Sequence, residues 1–305
     1  MSSPTRTRAI AVEGAVALAL AVALLASCAH TESAKVSRLT RSCEQGSAKD
    51  CIQLGKLYED GNEARRDLDR AAAFYERACN ARYGVACVSW ALLYLGDEAP
   101  ATNPRLGISI LERTCAAGID EPCGPLGSYY NEGKYVPADE RRGAQLLRRS
   151  CDAHFEVSCG VLGEMYLKGR GVPRDPERGA SLLQRSCDAR VWAHCAQLGI
   201  LETAGKELPK DERRALVHLK KGCDGRQANA CTMAGILYMQ GKGVSKDQTE
   251  AAHFFRLGCE DGLAASCAIL AGLYERGEGV ERNAVEVKKF YRRACAGGDK
   301  RACSR

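Results

Sequence analysis

The sequence predicts an all-α repeat protein, a solenoid of helical hairpins clipped by disulfides. One observation is a cysteine pair, eight positions apart, that recurs every 36 residues: Cys43 and Cys51, Cys79 and Cys87, Cys115 and Cys123, Cys151 and Cys159, Cys187 and Cys195, Cys223 and Cys231, Cys259 and Cys267, Cys295 and Cys303. A fixed period of this length marks an array in which each unit buries its apolar face only by stacking on its neighbours. The other observation is that, between the pairs, large apolar residues fall at three-to-four spacing around small ones, as in helices buried on one face.

Each repeat is read from the second cysteine of a pair. Its fourth position is small, Gly55, Ala91, Gly127, Gly163, Gly199, Gly235 or Ala271, and its seventh is Tyr58, Tyr94, Tyr130, Tyr166, Tyr238 or Tyr274. This leading helix ends at a glycine ten positions after the cysteine in all repeats but the second, because glycine tolerates the left-handed conformation that stops helices. Asp67, Asn103, Asp139, Asp175, Asp211, Asp247 and Asn283 follow six residues later as N-caps of a trailing helix, with Pro104 and Pro176 at its first turn. The trailing helix has its own small column (Ala71, Gly107, Gly143, Gly179, Ala215, Ala251) and a large one (Tyr75, Leu111, Leu147, Leu183, Leu219, Phe255, Tyr291). Facing small columns let the two helices pack as a tight antiparallel hairpin. The array is expected over 31–305, as seven full repeats, a half repeat capped by Thr31 and a final clipped turn.

The first residues carry Arg6, Arg8 and an apolar run from Gly14 to Ala26, too short to span a bilayer and laid out as a secretory signal. Leu25-Ala26-Ser27-Cys28 resembles the lipobox of bacterial lipoproteins. That resemblance implies a signal over 1–27, acylation of Cys28, a short linker over 28–30 and, with Ala29 after the cysteine, export to the outer membrane, facing the periplasm or the cell surface. Several acyl chains hold a domain on a bilayer where one would not. Export places the other sixteen cysteines in an oxidising compartment, so they read as disulfides. Pairing within each eight-residue unit uses all sixteen; the competing register, Cys51 with Cys79 and onward, strands Cys43 and Cys303, and spacing favours the first without fixing connectivity. In one continuous helix the two cysteines of a pair would be about 12 Å apart along the axis, so a bonded pair requires a turn between them. The stretch CDAHFEVSC at 151–159 then lies between one trailing helix and the next leading helix.

The formal charge is +6, with no dense basic block interleaved with aromatics, so nucleic acid is not an expected partner. The five histidines and the cysteine spacing match no zinc pattern, and neither metal nor cofactor is expected.

The stretch LGEMYLKGRGVPRDPERGASLLQRSC, 162–187, followed by a cysteine eight residues on, resembles a Sel1-like repeat of the disulfide-bridged type found in the Helicobacter cysteine-rich proteins. The resemblance runs along the whole array. It implies a right-handed superhelix related to tetratricopeptide solenoids, and two functional traditions: scaffolding of protein partners, and binding with weak hydrolysis of β-lactams. Opening a β-lactam needs an activated serine or a metal-bound hydroxide. Ser-x-x-Lys, Ser-Asp-Asn and Lys-Thr-Gly are all absent, so a β-lactamase reading rests on resemblance alone and a binding scaffold is favoured.

Repeat five departs most from the pattern. Glu202 stands where other repeats have tyrosine, His218 replaces a large apolar residue, and Trp192 and His194 sit in the preceding clip. Glu202 and His218 fall at similar heights in the hairpin, which makes them candidates for a general base and its orienter, or a polar pair without chemistry, the reading that composition favours. Positions one, five and eight of the leading helix vary and are expected to line a concave face, mostly with polar residues such as Lys56, Glu59, Ser128, Asn131 and Glu164. Repeats five and six instead place Ile200, Thr203, Ile236 and Met239 there, and with an exposed Trp192 these form the candidate ligand surface, unless they pack against neighbouring helices. Basic residues two before the first cysteine (Arg41, Arg77, Arg113, Arg149, Arg185, Lys221, Arg293) are expected to complement a helix C-terminus, with Asp152, Asp188 and Asp224 as local partners of Arg149, Arg185 and Lys221. Phe290 and Tyr291 are expected to be partly exposed at the far end. The expected whole is a monomeric, membrane-anchored scaffold for a protein or peptidoglycan-related ligand.

Overall fold

The computed structural model describes residues 33–96 and 103–305. The signal region, Cys28 and Thr31 lie outside them. Among the described residues there are fifteen α-helices and one short 3₁₀ turn. They cluster into two compact units, one ending at Ala101 and the other starting at Thr102, so repeat two, read from sequence as one link of a single array, straddles the boundary.

The first unit holds α1 (Ala34–Glu44), α2 (Ala48–Asp60), α3 (Leu68–Asn80) and α4 (Gly84–Leu95). The second holds α5 (Pro104–Ala116), α6 (Cys123–Glu132), α7 (Glu140–Asp152), α8 (Glu156–Lys168), α9 (Pro176–Asp188), α10 (Trp192–Ala204), α11 (Glu212–Asp224), α12 (Ala228–Gln240), α13 (Gln248–Glu260), α14 (Ala264–Arg276) and α15 (Ala284–Ala296), then the 3₁₀ turn Ala302–Ser304. Leading and trailing helices pair as hairpins: α2 with α3 in the first unit, and α6 with α7 through α14 with α15 in the second.

Trailing helices are capped as the sequence indicates. The Asp175 carboxylate accepts from the Arg178 amide at 3.0 Å, and the other six predicted caps act alike. Except at Asn103, the backbone amide of each such cap also donates to the column-seven carbonyl of its own leading helix, as from Asp175 to Tyr166 at 2.9 Å, which closes the loop. The half repeat starts two residues later than expected, on Ser33, whose hydroxyl accepts from the Val36 amide. Leading helices stop at Gly61, Gly133, Gly169, Gly205, Gly241 and Gly277 with φ between 68 and 72°. Gly96 of repeat two is extended instead, at φ −80°.

The hairpins are close because small faces small. A methyl on Gly163 would lie 2.8 Å from the Gly179 carbonyl oxygen, and the reciprocal distance is also 2.8 Å. Where the opposite residue is aromatic, the glycine makes room for the ring: Gly55 faces Tyr75 and Gly235 faces Phe255.

Each cysteine pair spans the turn between hairpins, with Cα atoms 4.6 to 5.1 Å apart, which decides the connectivity in favour of pairing within each unit. The third residue after the first cysteine is left-handed in every clip. Gly46, Gly118, Gly262 and Gly298 meet this freely, whereas Arg82, His154, Arg190 and Arg226 hold φ of 60 to 67°. Such a conformation costs a non-glycine residue about 1 kcal/mol, which the clip offsets. Cys151→Ser with Cys159→Ser is therefore expected to lower stability by about 2 to 3 kcal/mol in denaturant unfolding and to speed amide exchange at the α7–α8 turn. An unchanged midpoint and exchange pattern would show that the clip is dispensable there.

Candidate functional site

Repeat five is built by exchanging one kind of contact for another at fixed positions. In repeats one, six and seven the column-seven tyrosine stacks on a phenylalanine of the trailing helix: Tyr58 on Phe74, Tyr238 on Phe254 and Tyr274 on Phe290, with centroids 5.5 to 5.7 Å apart. Glu202 on α10 and His218 on α11 occupy these same two positions. Both are buried, and His218 Nδ1 lies 2.7 Å from Glu202 Oε2. Arg214 reaches the other oxygen, Oε1, at 3.2 Å. Its counterparts Arg70, Arg142 and Arg178 lie 4.3 to 5.4 Å over tyrosine ring centroids, so in repeat five a carboxylate has taken the place of the π face and the guanidinium stays. With one oxygen on the imidazole and the other on the guanidinium, Glu202 holds α10 to α11 and directs neither oxygen at a substrate.

His194 is the second buried imidazole. The Ser186 hydroxyl donates to the Glu156 carbonyl at 2.6 Å, so the 2.7 Å contact between Ser186 Oγ and His194 Nδ1 is a donation from the ring. The ring lies over Gly160, where a methyl would come within 2.1 Å of it. Burial pushes the His194 pKa below its ordinary 6.5, against a smaller upward pull from Glu164.

The candidate ligand surface divides. Trp192 is half-buried rather than exposed: it packs over Gly225, where even a methyl would lie 2.0 Å from its ring. Ile236 and Met239 pack against the core of α13 to α15, around Phe255 and Leu270. The Thr203 hydroxyl donates to the Gly199 carbonyl at 2.8 Å. Ile200 alone of the set is exposed, at 36%. Positions one and eight do not line an open face as expected, since Gly160, Ala196, Asn131 and Leu167 are buried. The leading helix packs against both its own trailing helix and the trailing helix before it.

What Ile200 borders is a shallow cleft of about 420 Å³ at the clip edge of repeats five to seven. Ile200, Leu201 and Leu263 supply its apolar surface, and Gln197, Gln227 and Asn229 its polar rim. The two clip turns after the Trp192 clip contribute to it, which sequence reasoning missed because those turns read only as disulfide loops.

Two further expectations are corrected. The basic column reaches back one repeat instead of pairing locally: Arg149 meets Asp120 at 2.6 Å, Arg185 meets Glu156 at 2.8 Å and Lys221 meets Asp188 at 3.0 Å. Arg77, Arg185 and Arg293 also donate to carbonyls at the preceding trailing helix's C-terminus, of Glu44, Cys151 and Cys259. Phe290 is not exposed at the far end; it is 3% accessible under Tyr274, while Tyr291 is half-buried.

The family model described as Sel1 repeat matches residues 48–83, 126–155, 158–190, 195–225, 228–263 and 264–299. The chain belongs to the Sel1-repeat family. The matched segments omit 84–125, the stretch in which the leading helix lacks its left-handed stop. A protective antigen present in uropathogenic Escherichia coli strains and displaying an SLR fold is 22% identical, with a TM-score of 0.71; the likeness covers 88% of this chain and 57% of that one, so the chain spans little more than half its length. A Sel1 repeat protein from Oxalobacter formigenes is 20% identical over 88% of this chain and 78% of its own, also with a TM-score of 0.71. Helicobacter pylori cysteine rich protein B is 25% identical over 43% of this chain and 94% of its own, with a TM-score of 0.36, too low to carry an argument. No match was found among curated proteins. Eight disulfides in a Sel1-repeat chain suit an oxidising, extracytoplasmic compartment. No helix among the described residues is long and apolar enough to cross a membrane.

Removing the Glu202 carboxylate leaves Arg214 and His218 without their shared partner. Glu202→Leu is expected to cost about 3 kcal/mol, while Glu202→Tyr with His218→Phe, which rebuilds the stack, stays within about 1 kcal/mol of the parent in denaturant unfolding. Equal losses in both variants would refute the exchange. For His194 the folded chain binds the proton more weakly than the unfolded one, so its contribution is complete above pH 6.5 and is lost as pH falls from there towards the depressed folded value. Melting of the parent should drop between pH 8 and pH 5 by more than that of His194→Ser; parallel pH profiles would contradict the assignment.

Proposed function

We propose that this chain is an envelope-anchored Sel1-repeat scaffold that holds a protein partner, with an extended segment of that partner lying in the clip-edge cleft beside Ile200. The observation that carries this reading is the pairing of an exposed aliphatic surface with three carboxamides, Gln197, Gln227 and Asn229, in one cleft. A carboxamide donates and accepts as a peptide bond does, so a row of them suits the backbone of an extended chain while Ile200 and Leu263 take alternate side chains. The aliphatic surface, without an aromatic platform, favours a protein segment over a peptidoglycan-related ligand. Anchoring through Cys28 is supported by the Leu25-Ala26-Ser27-Cys28 pattern and by the eight clips that an oxidising compartment sustains. Hydrolysis gains no support at this cleft: its one carboxylate, Asp261, is paired with Arg226 at 2.7 Å.

A displayed random-peptide library panned on the oxidised chain tests the reading. Enriched peptides should bind about tenfold more weakly to Ile200→Glu, with melting unchanged, because position 200 faces the cleft and supports no core. Failure to enrich any sequence, or binding indifferent to Ile200→Glu, would defeat it.

A further inference from the structure

A second site lies at the loop edge between repeats four and five, and it stands out when the same two positions are compared along the array. The two positions are eighteen before and twelve after the column-seven residue, one on the preceding trailing helix and one in the first turn of its own trailing helix. In repeat three these are Glu112 and Arg142. Tyr130 donates to Glu112 at 2.8 Å, Arg142 meets the same oxygen at 3.3 Å, and the Arg142 guanidinium lies 4.3 Å over the Tyr130 ring. Repeats six and seven keep opposite charges at these positions, Lys220 with Glu250 and Arg256 with Glu286. In repeat five, Gln184 and Arg214 occupy them, and Glu202 itself supplies the acid.

Repeat four carries two cations and no acid there. Arg148 donates to the Tyr166 hydroxyl at 2.7 Å, and Arg178 lies 4.7 Å over the same ring. The hydroxyl that in repeat three gives its proton to Glu112 has here become the acceptor of a guanidinium. Both arginines line a cleft of about 1000 Å³ together with Arg174 and Lys206, and Pro173, Leu208 and Pro209 supply apolar walls. Three carboxylates also line it, and none forms an ion pair with Arg148 or Arg178. Asp175 accepts from the Arg178 amide as the cap of α9, and Glu177 and Glu207 line the cleft.

We propose that this cleft binds an acidic peptide segment, with one glutamate or aspartate carboxylate of the ligand supplying the negative charge beside Tyr166 that Glu112 supplies beside Tyr130 in repeat three. Two guanidiniums beside one tyrosine suit a planar carboxylate, and the charge they leave uncompensated is supplied by the ligand. The cleft has room for the residues flanking that carboxylate, and the prolines give them a rigid apolar wall. This site is on a different edge from the cleft beside Ile200 and does not depend on it.

The test is fluorescence anisotropy of a labelled oligoglutamate peptide on the oxidised full chain at low salt, with an oligoglutamine peptide as control. Arg148→Glu rebuilds the repeat-three arrangement internally, so it should fold as the parent does and weaken binding by about tenfold or more. Arg148→Gln serves if that variant misfolds. Arg292→Glu makes the same change of net charge in the same column of the last repeat and should leave binding unaltered. Equal weakening by Arg148→Glu and Arg292→Glu, or no difference between the two peptides, would overturn the proposal. So would competition by inorganic phosphate as effective as that of unlabelled peptide, since the site would then read an oxyanion alone.

Discussion

Among the described residues the leading helices, apart from α2 with its Ser47 cap, begin without help from their own side chains. Tyr83, Phe155, Val191, Gln227 and Leu263 stand at their N-cap positions and make no capping bond. What fixes each start is the clip: a disulfide from the last turn of one trailing helix to the first turn of the next leading helix, over a turn of three residues, six between α5 and α6, with a left-handed residue inside it. Everything else in a repeat is placed by that turn. The amide of each N-cap residue but Pro122 donates back to the trailing helix, as from Phe155 to the Ser150 carbonyl at 3.1 Å, so the two helices leave the joint at a set angle. A thin array lacks the large core that would otherwise hold such joints, and covalent closure of a short loop is the available substitute.

With the joints fixed, the repeat offers the same few positions again and again, and chemistry varies only in what fills them. The tyrosine column shows this best. It can be an aromatic stack, a ring under a guanidinium, or a carboxylate held by an imidazole and a guanidinium, all in the same hairpin geometry. This explains why the most unusual residues of the chain, Glu202 and His218, are structural: they solve the same packing problem as Tyr58 and Phe74. It also turns attention to positions where a repeat lacks its usual compensation, as at Arg148 and Arg178.

The two candidate surfaces lie on opposite ends of the hairpins. One is made by clip turns and presents aliphatic and carboxamide groups; the other is made by the loops that follow leading helices and presents guanidiniums around a tyrosine. A leading helix packed on both flanks has little side surface to offer, so the edges are where repeat-specific residues reach solvent.

Period, clips, caps and both small columns were legible in the chain because each depends on residues within one repeat: Asp175 caps the helix it precedes, and Gly163 faces Gly179 sixteen residues on. The meeting of Glu202 and His218 follows from the same within-repeat arithmetic. What only the tertiary structure decided are contacts about one full period apart. Lys221 chooses Asp188 of the repeat before over its own neighbour Asp224, Trp192 is covered by the turn at Gly225, and Ile236 and Met239 turn inward against the next core. A repeating sequence specifies the inside of a repeat seven times over, yet it says nothing of the offset between one repeat and the next. That offset, set by backbone geometry at the clips, determines which exposed-looking side chains find a neighbour and which are left to meet a partner.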